Sequence, residues 1–212
     1  MPDNNDSALL LSEDIIAQRQ YHHSEAGITW EECGLRQYLN GEFLRQFSGQ
    51  DQAHIMQVKN ENSDNQRFGT GGGNTTIDKV FLLSIEEVIK HFGDSGQLQK
   101  RPEKNFWCID DQFNSRRQAN YNDEVWFWLL RSPGGNGVKA ASVDDDGRIS
   151  FTGESIVNDR VGLRPAIWVR LQNYTLDTEF SDIDRERNQA AQGKNSLVVS
   201  TKDEQSKVIS DH

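Results

Sequence analysis

The densest apolar stretch of the chain is WFWLL at residues 126–130, five bulky side chains in succession. A strand with one face in solvent would alternate apolar and polar residues, so this run predicts a strand that is covered on both faces. The sequence RSPG at residues 131–134 then predicts that the strand ends at once. We expect Trp128 to be a structural residue of the core.

A second run of similar character, VGLRPAIW, follows at residues 161–168. Pro165 fixes its own φ angle and disfavours the helical conformation for Arg164, so this stretch is extended. Residues 166–171 therefore predict one more strand of the core.

Two arginines, Arg131 and Arg164, adjoin these predicted strands. An uncompensated guanidinium in a low dielectric is very costly, so each must be paired or hydrogen-bonded. We expect both to be structural, joining strand ends to backbone carbonyls or to carboxylates such as Asp144.

The remaining regular elements are shorter. An apolar run at residues 8–11 is consistent with a strand, and VFLL at residues 80–83 is typical of a buried one. SIEE at residues 84–87 and TWEE at residues 29–32 both fit a capping box, in which the first side chain and a glutamate three positions later satisfy free backbone donors. Each therefore predicts the start of a helix.

The sequence DDDG at residues 144–147 lies between two runs that favour strands, residues 140–143 and 148–152, and predicts a hairpin. Consecutive aspartates also suggest calcium, with Asp144 and Asp146 as candidate ligands. The alternate-position oxygens and the distal glutamate of a calcium loop are absent, however. Calcium stays an alternative to a turn, and no other cofactor is predicted.

Two stretches lack periodicity. Residues 69–76 read GTGGGNTT but lack the lysine and the glycine spacing of a phosphate loop, so a flexible connection is the simpler interpretation. Residues 94–125 form a long polar crossing with isolated aromatic residues, among them Trp107 and Tyr121. Loops of this length in a domain are often functional.

Composition narrows the classes of function. The net charge of −10 disfavours a nucleic-acid partner and acidic membrane surfaces, because no excess of lysine and arginine is present to bind phosphates. No apolar run approaches the roughly 20 residues that span a bilayer, so no membrane insertion is predicted. The first residues, MPDNND, lack the features of a signal peptide, so none is predicted for this sequence. This expectation does not apply if the sequence is a fragment of a longer secreted or cell-surface protein.

Hydrophobic residues make up 34% of the chain, so much of its length must be loop or polar terminus. We predict one domain over residues 7–171, followed by a polar, flexible tail at residues 172–212. Cys33 and Cys108 are the only cysteines, which excludes a disulfide-rich scaffold and a four-cysteine zinc site.

Four short patterns occur in a fixed order in this domain. They are Trp30 followed by LRQYLN at residues 35–40, VFLLS at residues 80–84 followed by Glu87, WLLRSPG at residues 128–134, and GLRPA at residues 162–166. With them the chain resembles a family of uncharacterised bacterial domains in which WLRSPG and GVRPA recur. The departures here are one extra leucine in the first motif and Leu163 in place of valine in the second.

The last two motifs are also similar to those of the group that contains C-type lectin-like domains and formylglycine-generating enzymes. That resemblance implies an α+β fold, in which short helices pack on a twisted, mainly antiparallel sheet with long irregular loops. It further implies that the loops bind ligands and the strands support them, although a fold does not fix a function.

Three functions follow as hypotheses. The first is a non-catalytic module that binds a glycan, a peptide or a protein surface through Trp107, Tyr121, Trp126 and Asn136, because aromatic rings stack on sugars and anchor interfaces. The second is a structural or assembly domain with the same loops docked on a neighbour. The third is an oxidase of the formylglycine-generating type, which would need thiolates that nothing in the sequence brings together. The oligomeric state is not predicted.

Overall fold

Short strands in mainly antiparallel sheets make up most of the fold. The computed structural model describes residues 6–100 and 106–171, together with the strand pairing of residues 197–200 and 207–208. The strands are β1 (Ser7–Ser12), β2 (Ala17–Gln18), β3 (Val58–Asn60), β4 (Thr76–Asp78), β5 (Val80–Phe81), β6 (Cys108–Ile109), β7 (Ala119–Tyr121), β8 (Glu124–Trp126), β9 (Trp128–Pro133), β10 (Lys139–Val143), β11 (Ile149–Ser155), β12 (Gly162–Leu163), β13 (Ala166–Arg170), β14 (Leu197–Ser200) and β15 (Lys207–Val208).

The helices are few and short. They are α1 (Gly34–Tyr38), α2 (Gly49–His54), α3 (Ile85–Phe92) and α4 (Asn114–Arg117), with a π-helical turn at Leu39–Phe43 and a 3-10 turn at Leu44–Gln46 between the first two. Helices of one to two turns depend on packing for their stability. The predicted α+β class is confirmed: short helices accompany mainly antiparallel sheets.

Two sheets carry the core. The first has five strands in the order β15-β14-β1-β13-β5, and the second has six in the order β2-β12-β9-β10-β11-β6. All strand pairs are antiparallel except β9 with β12. Hairpins β3-β4 and β7-β8 form two further small sheets. One cluster of buried apolar residues joins both large sheets to α1 and α3. The burial of this apolar area stabilises the fold.

The central strand differs from its prediction at both ends. β9 begins at Trp128, and Trp126 instead ends the separate hairpin β7-β8. The strand also continues through Arg131 and Ser132 to Pro133, and all six of its residues are buried. Polar residues remain inside the strand because their side chains bond to neighbouring elements.

The two predicted capping boxes have different outcomes. Ser84 and Glu87 form a complete capping box at the start of α3, as predicted. The prediction at residues 29–32 is wrong, because α1 begins at Gly34 and its N-cap is Cys33. The thiol of Cys33 accepts the Arg36 N–H at 3.3 Å, so a cysteine performs the usual task of an oxygen.

Most of the tail at residues 172–212, predicted to be polar and flexible, lies outside the described residues. Two pieces of it are strands of the first sheet, β14 and β15. β14 pairs with the side of β1 that faces away from β13.

Candidate functional site

Three aromatic rings meet at one edge of the second sheet. Phe68 stacks on Trp107 with ring centroids 5.5 Å apart, and Phe106 meets Phe68 and Trp107 edge to face at 5.8 Å and 5.1 Å. The three centroids form a nearly equilateral triangle, so each ring contacts the other two. Trp107 is 58% exposed, so it remains largely accessible to solvent. We call these three residues the aromatic platform.

The position of Trp107 is set by the sheet. It immediately precedes β6, the edge strand that pairs with β11. Its carbonyl accepts the Phe151 N–H at 2.8 Å, which extends the pairing by one residue beyond the strand. The exposed ring is therefore attached to a fixed backbone.

Asn65 fixes the loop that carries Phe68. Its side-chain oxygen accepts the backbone N–H of Phe68 at 3.2 Å, and the residue is only 2% exposed. The two hydrogens of its side-chain NH2 group are shared among three backbone carbonyls, those of Pro133 (2.8 Å), Gly134 (3.1 Å) and Phe151 (2.9 Å). One buried amide thus joins this loop to β9 and β11. A buried polar group whose hydrogen bonds are all formed is held firmly in place.

Arg67 supports the platform from a second direction. Its guanidinium donates to the carbonyls of Gln97 at 2.7 Å and Lys100 at 2.8 Å. The same group lies over the rings of Phe106 at 5.7 Å and Phe151 at 5.2 Å, within cation–π range. Gln97 and Lys100 are thereby tied to the Phe68 loop.

Asn136 lies in the exposed loop between β9 and β10, next to the platform. The neighbouring Gly135 is so close to Phe68 that an added Cβ would lie 3.6 Å from the ring, and its N–H bonds to the Thr152 carbonyl at 2.9 Å. The side-chain oxygen of Asn136 accepts the Val138 N–H at 3.1 Å. Its amide thus stabilises its own turn and adds a polar group to the rim.

Tyr121 and Trp126 lie elsewhere, in the hairpin β7-β8. The indole N–H of Trp126 donates to the Arg160 carbonyl at 2.8 Å, and its ring stacks on Phe127 at 5.2 Å. Trp126 adjoins the start of β9, whereas Trp107 adjoins β6, and β10 and β11 lie between these two strands. The structure therefore brings Trp107 and Asn136 to one surface and places Tyr121 and Trp126 on another.

Trp128 and Arg164 pack together in the interior. Trp128 is wholly buried, and its indole N–H donates to the Arg117 carbonyl at 3.0 Å. The Arg164 guanidinium lies 4.9 Å from the Trp128 ring and 5.4 Å from that of Phe92, and its Nε donates to the Ser12 carbonyl at 2.8 Å. Burial lowers the pKa of Arg164 to about 10. Within the described residues Arg164 makes no ion pair, so carbonyls, aromatic faces and the nearby charges of Asp14 and Glu13 compensate its charge.

Arg131 is compensated differently. It forms a two-pronged ion pair with Glu87, the capping-box residue of α3, and also donates to the Leu82 carbonyl at 2.8 Å. The suggestion that Asp144 serves as a partner for these arginines is wrong: Arg131 uses Glu87, and Asp144 lies in the hairpin turn after β10. Arg131 joins β9 to α3 and contacts no exposed surface.

The aspartate turn is a hairpin loop. Gly147 has a φ of 81°, and its N–H bonds to the Asp144 carbonyl at 2.9 Å. Asp146 forms an ion pair with Arg148. Burial raises the pKa of Asp144 to about 6, and the nearby Asp146 carboxylate adds to the effect. Over residues 6–100 and 106–171 no group of three or more metal-ligating side chains occurs, here or elsewhere.

The two thiols lie in separate elements. Cys33 caps α1 and is wholly buried, and burial raises its pKa to about 12. Cys108 is half-buried in β6, and burial also raises its pKa. Both are free cysteines. Neither carries thiolate character at neutral pH, since a reactive cysteine needs a lowered pKa.

Sequence reasoning named Trp107 and Asn136 as candidates but did not name Asn65, Arg67 and Phe68. The signal for Trp107 was a large aromatic residue in a polar crossing. No comparable signal marks Asn65, because its three acceptors are backbone carbonyls, which leave no trace in side-chain pattern. Its farthest acceptor, Phe151, is 86 positions away in sequence.

Fold and site together define an α+β domain with an exposed aromatic platform on a sheet edge. Residues 5–171 match the family described as "Domain of unknown function (DUF6273)", and the chain belongs to that family. We find no match among curated proteins and none among solved structures. No helix in the described part of the chain is long and apolar enough to cross a membrane.

Proposed function

We propose that this domain is a non-catalytic carbohydrate-binding module that stacks a sugar ring on the exposed surface of Trp107. The observation that carries the proposal is a tryptophan 58% exposed to solvent yet backed by two phenylalanine rings. An exposed indole supplies a flat apolar surface for the C–H face of a pyranose, and its rigid ring loses little conformational entropy on binding. Asn136 would donate a hydrogen bond from the rim.

The size of the apolar surface favours a narrow ligand over a protein partner. Besides Trp107, the exposed large hydrophobic residues of the described ranges are Ile77, Val125 and Leu171. They belong to β4, β8 and the end of β13, and so do not extend the platform. A stable protein interface buries about 800 Å² per partner around several apolar anchors. One indole with its two supports is better matched to one or two sugar rings.

The platform is also preorganised. Asn65 holds the Phe68 loop through five hydrogen bonds, and Arg67 ties that loop to Gln97 and Lys100 through two more. Fixed side chains lose less entropy on binding than mobile ones, which raises affinity without new contacts. A C-type-lectin-like arrangement remains part of this proposal; short helices, mainly antiparallel sheets and long irregular loops support it.

The test is a glycan-array screen of the whole chain, with and without calcium, followed by calorimetry on the best ligand. Trp107→Ala should weaken binding by about tenfold or more, which corresponds to one lost stacking contact of about 1.4 kcal/mol. Its unfolding midpoint should stay near that of the parent because the ring is mostly exposed. Removal of calcium should have no effect, since no group of three or more metal-ligating side chains lies at the platform within residues 6–100 and 106–171.

Trp126→Ala is the matched control, because it removes a partly buried tryptophan from the other surface. Equal losses in both variants would refute the platform as the binding site. Failure to bind any glycan would instead favour the assembly hypothesis. No observation favours the oxidase, since its two candidate thiols are apart and Cys33 is buried.

A further inference from the structure

The outer side of β1 is occupied by a strand from outside the family domain. β13 pairs with one side of β1, from Ser7 with Arg170 to Leu11 with Ala166. β14 pairs with the other side, from Leu9 with Ser200 to Ser12 with Leu197. The family match ends at residue 171, and no strand within residues 6–100 and 106–171 pairs with this side of β1, where β14 lies.

An open edge at this place would be hazardous. β1 has the sequence SALLLS, and Leu9 and Leu11 are nearly fully buried. A straight apolar strand with unpaired N–H and C=O groups is a template for any other strand. It has none of the usual protections, since its sequence contains neither proline nor charge. The edge therefore needs an occupant.

The length of the connection does not tie the occupant to its own chain. The 26 residues from 171 to 196 separate β13 from β14, and at full extension they could span roughly 85–95 Å. Only two strand spacings, about 10 Å, separate β13 from β14 across β1. The same segment of a second copy could therefore reach the same edge.

We propose that the outer edge of β1 is a strand-binding site and that Leu197–Ser200 is an exchangeable occupant, which two copies of the chain trade to form a dimer. Recognition rests on the backbone ladder, as in other cases of strand addition. Within one chain the connection keeps Leu197–Ser200 at a high effective concentration near its own β1. Exchange between two chains must compete with this, so it should increase with protein concentration. This inference is independent of the aromatic platform.

Disulfide trapping in the full chain tests the proposal. Leu10 lies directly opposite Val199, and directly opposed strand residues are the cross-strand pairs whose Cβ atoms come closest to disulfide distance. A chain with both Leu10→Cys and Val199→Cys should form the bond within itself on mild oxidation. A mixture of chains that carry one substitution each should form disulfide-linked dimers, with a yield that rises with concentration.

Two further variants sharpen the result. Val198→Pro in the Leu10→Cys chain removes a ladder donor from its own β14, so the yield of mixed dimer should rise several-fold. Val198→Cys in place of Val199→Cys is the control, because a one-residue shift turns a strand's side chain to the opposite face and should abolish trapping. The unsubstituted chain gives the background from the half-buried Cys108.

Trapping in the mixture that exceeds both backgrounds would support exchange. Trapping only in the doubly substituted chain would overturn the proposal and make β14 a fixed part of its own fold. No trapping in any chain would also overturn it, since β14 would then not pair with β1.

Discussion

The ion pair between Arg131 and Glu87 offers the most direct test of how the fold is held. The side chains are 3% and 12% exposed, and both carboxylate oxygens of Glu87 accept from the guanidinium. Glu87 also accepts the Ser84 N–H at 2.9 Å as part of the capping box. Glu87→Gln keeps the size and one acceptor oxygen but removes the charge that compensates Arg131.

The expected loss of unfolding free energy is about 3 kcal/mol. Breaking a buried pair by removing one partner costs about 3–5 kcal/mol, because the remaining charge stays desolvated. The lower end applies here for two reasons. Glutamine can still serve the Ser84 cap, and the Leu82 carbonyl still accepts from Arg131. Domains are typically stable by about 5–15 kcal/mol, so the loss is a large fraction.

Urea unfolding at pH 7 measures the effect, and Glu86→Gln is the matched control. Glu86 lies in the same first turn of α3 and forms no ion pair with Arg131. Glu86→Gln therefore removes the same charge near the helix N-terminus, worth about 0.3–1 kcal/mol, without breaking the buried pair. A double-mutant cycle with Arg131→Met should show a coupling of at least about 1.5 kcal/mol. Equal losses for the two glutamine variants, or a coupling near zero, would refute the reasoning.

Three further outcomes are expected in urea unfolding. Asp144→Asn should stabilise the fold by about 1 kcal/mol at pH 7 and not at pH 4. The native pKa of Asp144, about 6, exceeds the ordinary value of an aspartate, so the parent protein loses stability as the pH rises through 6. The partial exposure of Asp144 reduces the size of the effect. Parallel pH profiles for the two proteins would contradict this. Gly147→Ala should cost at least about 2 kcal/mol more than Gly96→Ala; φ is positive at both, but only at Gly147 would a Cβ lie 2.0 Å from the Asn114 carbonyl oxygen. Asn65→Ala should cost about 3 kcal/mol, because it strips three buried carbonyls of their donor; a loss below 1 kcal/mol would mean that the loop is held elsewhere.

The sequence predicted local features best where their partners are local. The Ser84 capping box is correct because both of its hydrogen bonds close within three residues. The same pattern at residues 29–32 failed because the helix start is decided by distant groups. The N–H of Gly34 bonds to the ring of His22 at 3.1 Å, so the first helical turn begins beyond the expected residue.

The apolar run at residues 126–130 shows a different limit. Hydrophobic content predicted the buried strand, but it could not separate Trp126 from Trp128. The turn at Asn122 and Asp123, with φ of 53° and 65°, pairs Trp126 with Ala119 in a hairpin of its own. The sequence does not distinguish a tryptophan whose indole N–H donates to a distant carbonyl at the surface from a tryptophan that is buried in the core.

The structure also explains why the strongest sequence motif lies beside the candidate site and not in it. Arg131 and Ser132 bond to Glu87 and to the Ile85 N–H, which fixes β9 against the start of α3. The next two residues, 133 and 134, then present their carbonyls to Asn65. Asn65 in turn fixes the loop that places Phe68 behind Trp107. The motif therefore acts on the platform through the backbone at the end of β9, and a ligand on Trp107 would never touch it. It follows that Glu87→Gln should weaken ligand binding only to the extent that it loosens β9, and that added osmolyte, which restores the fold, should restore the affinity with it.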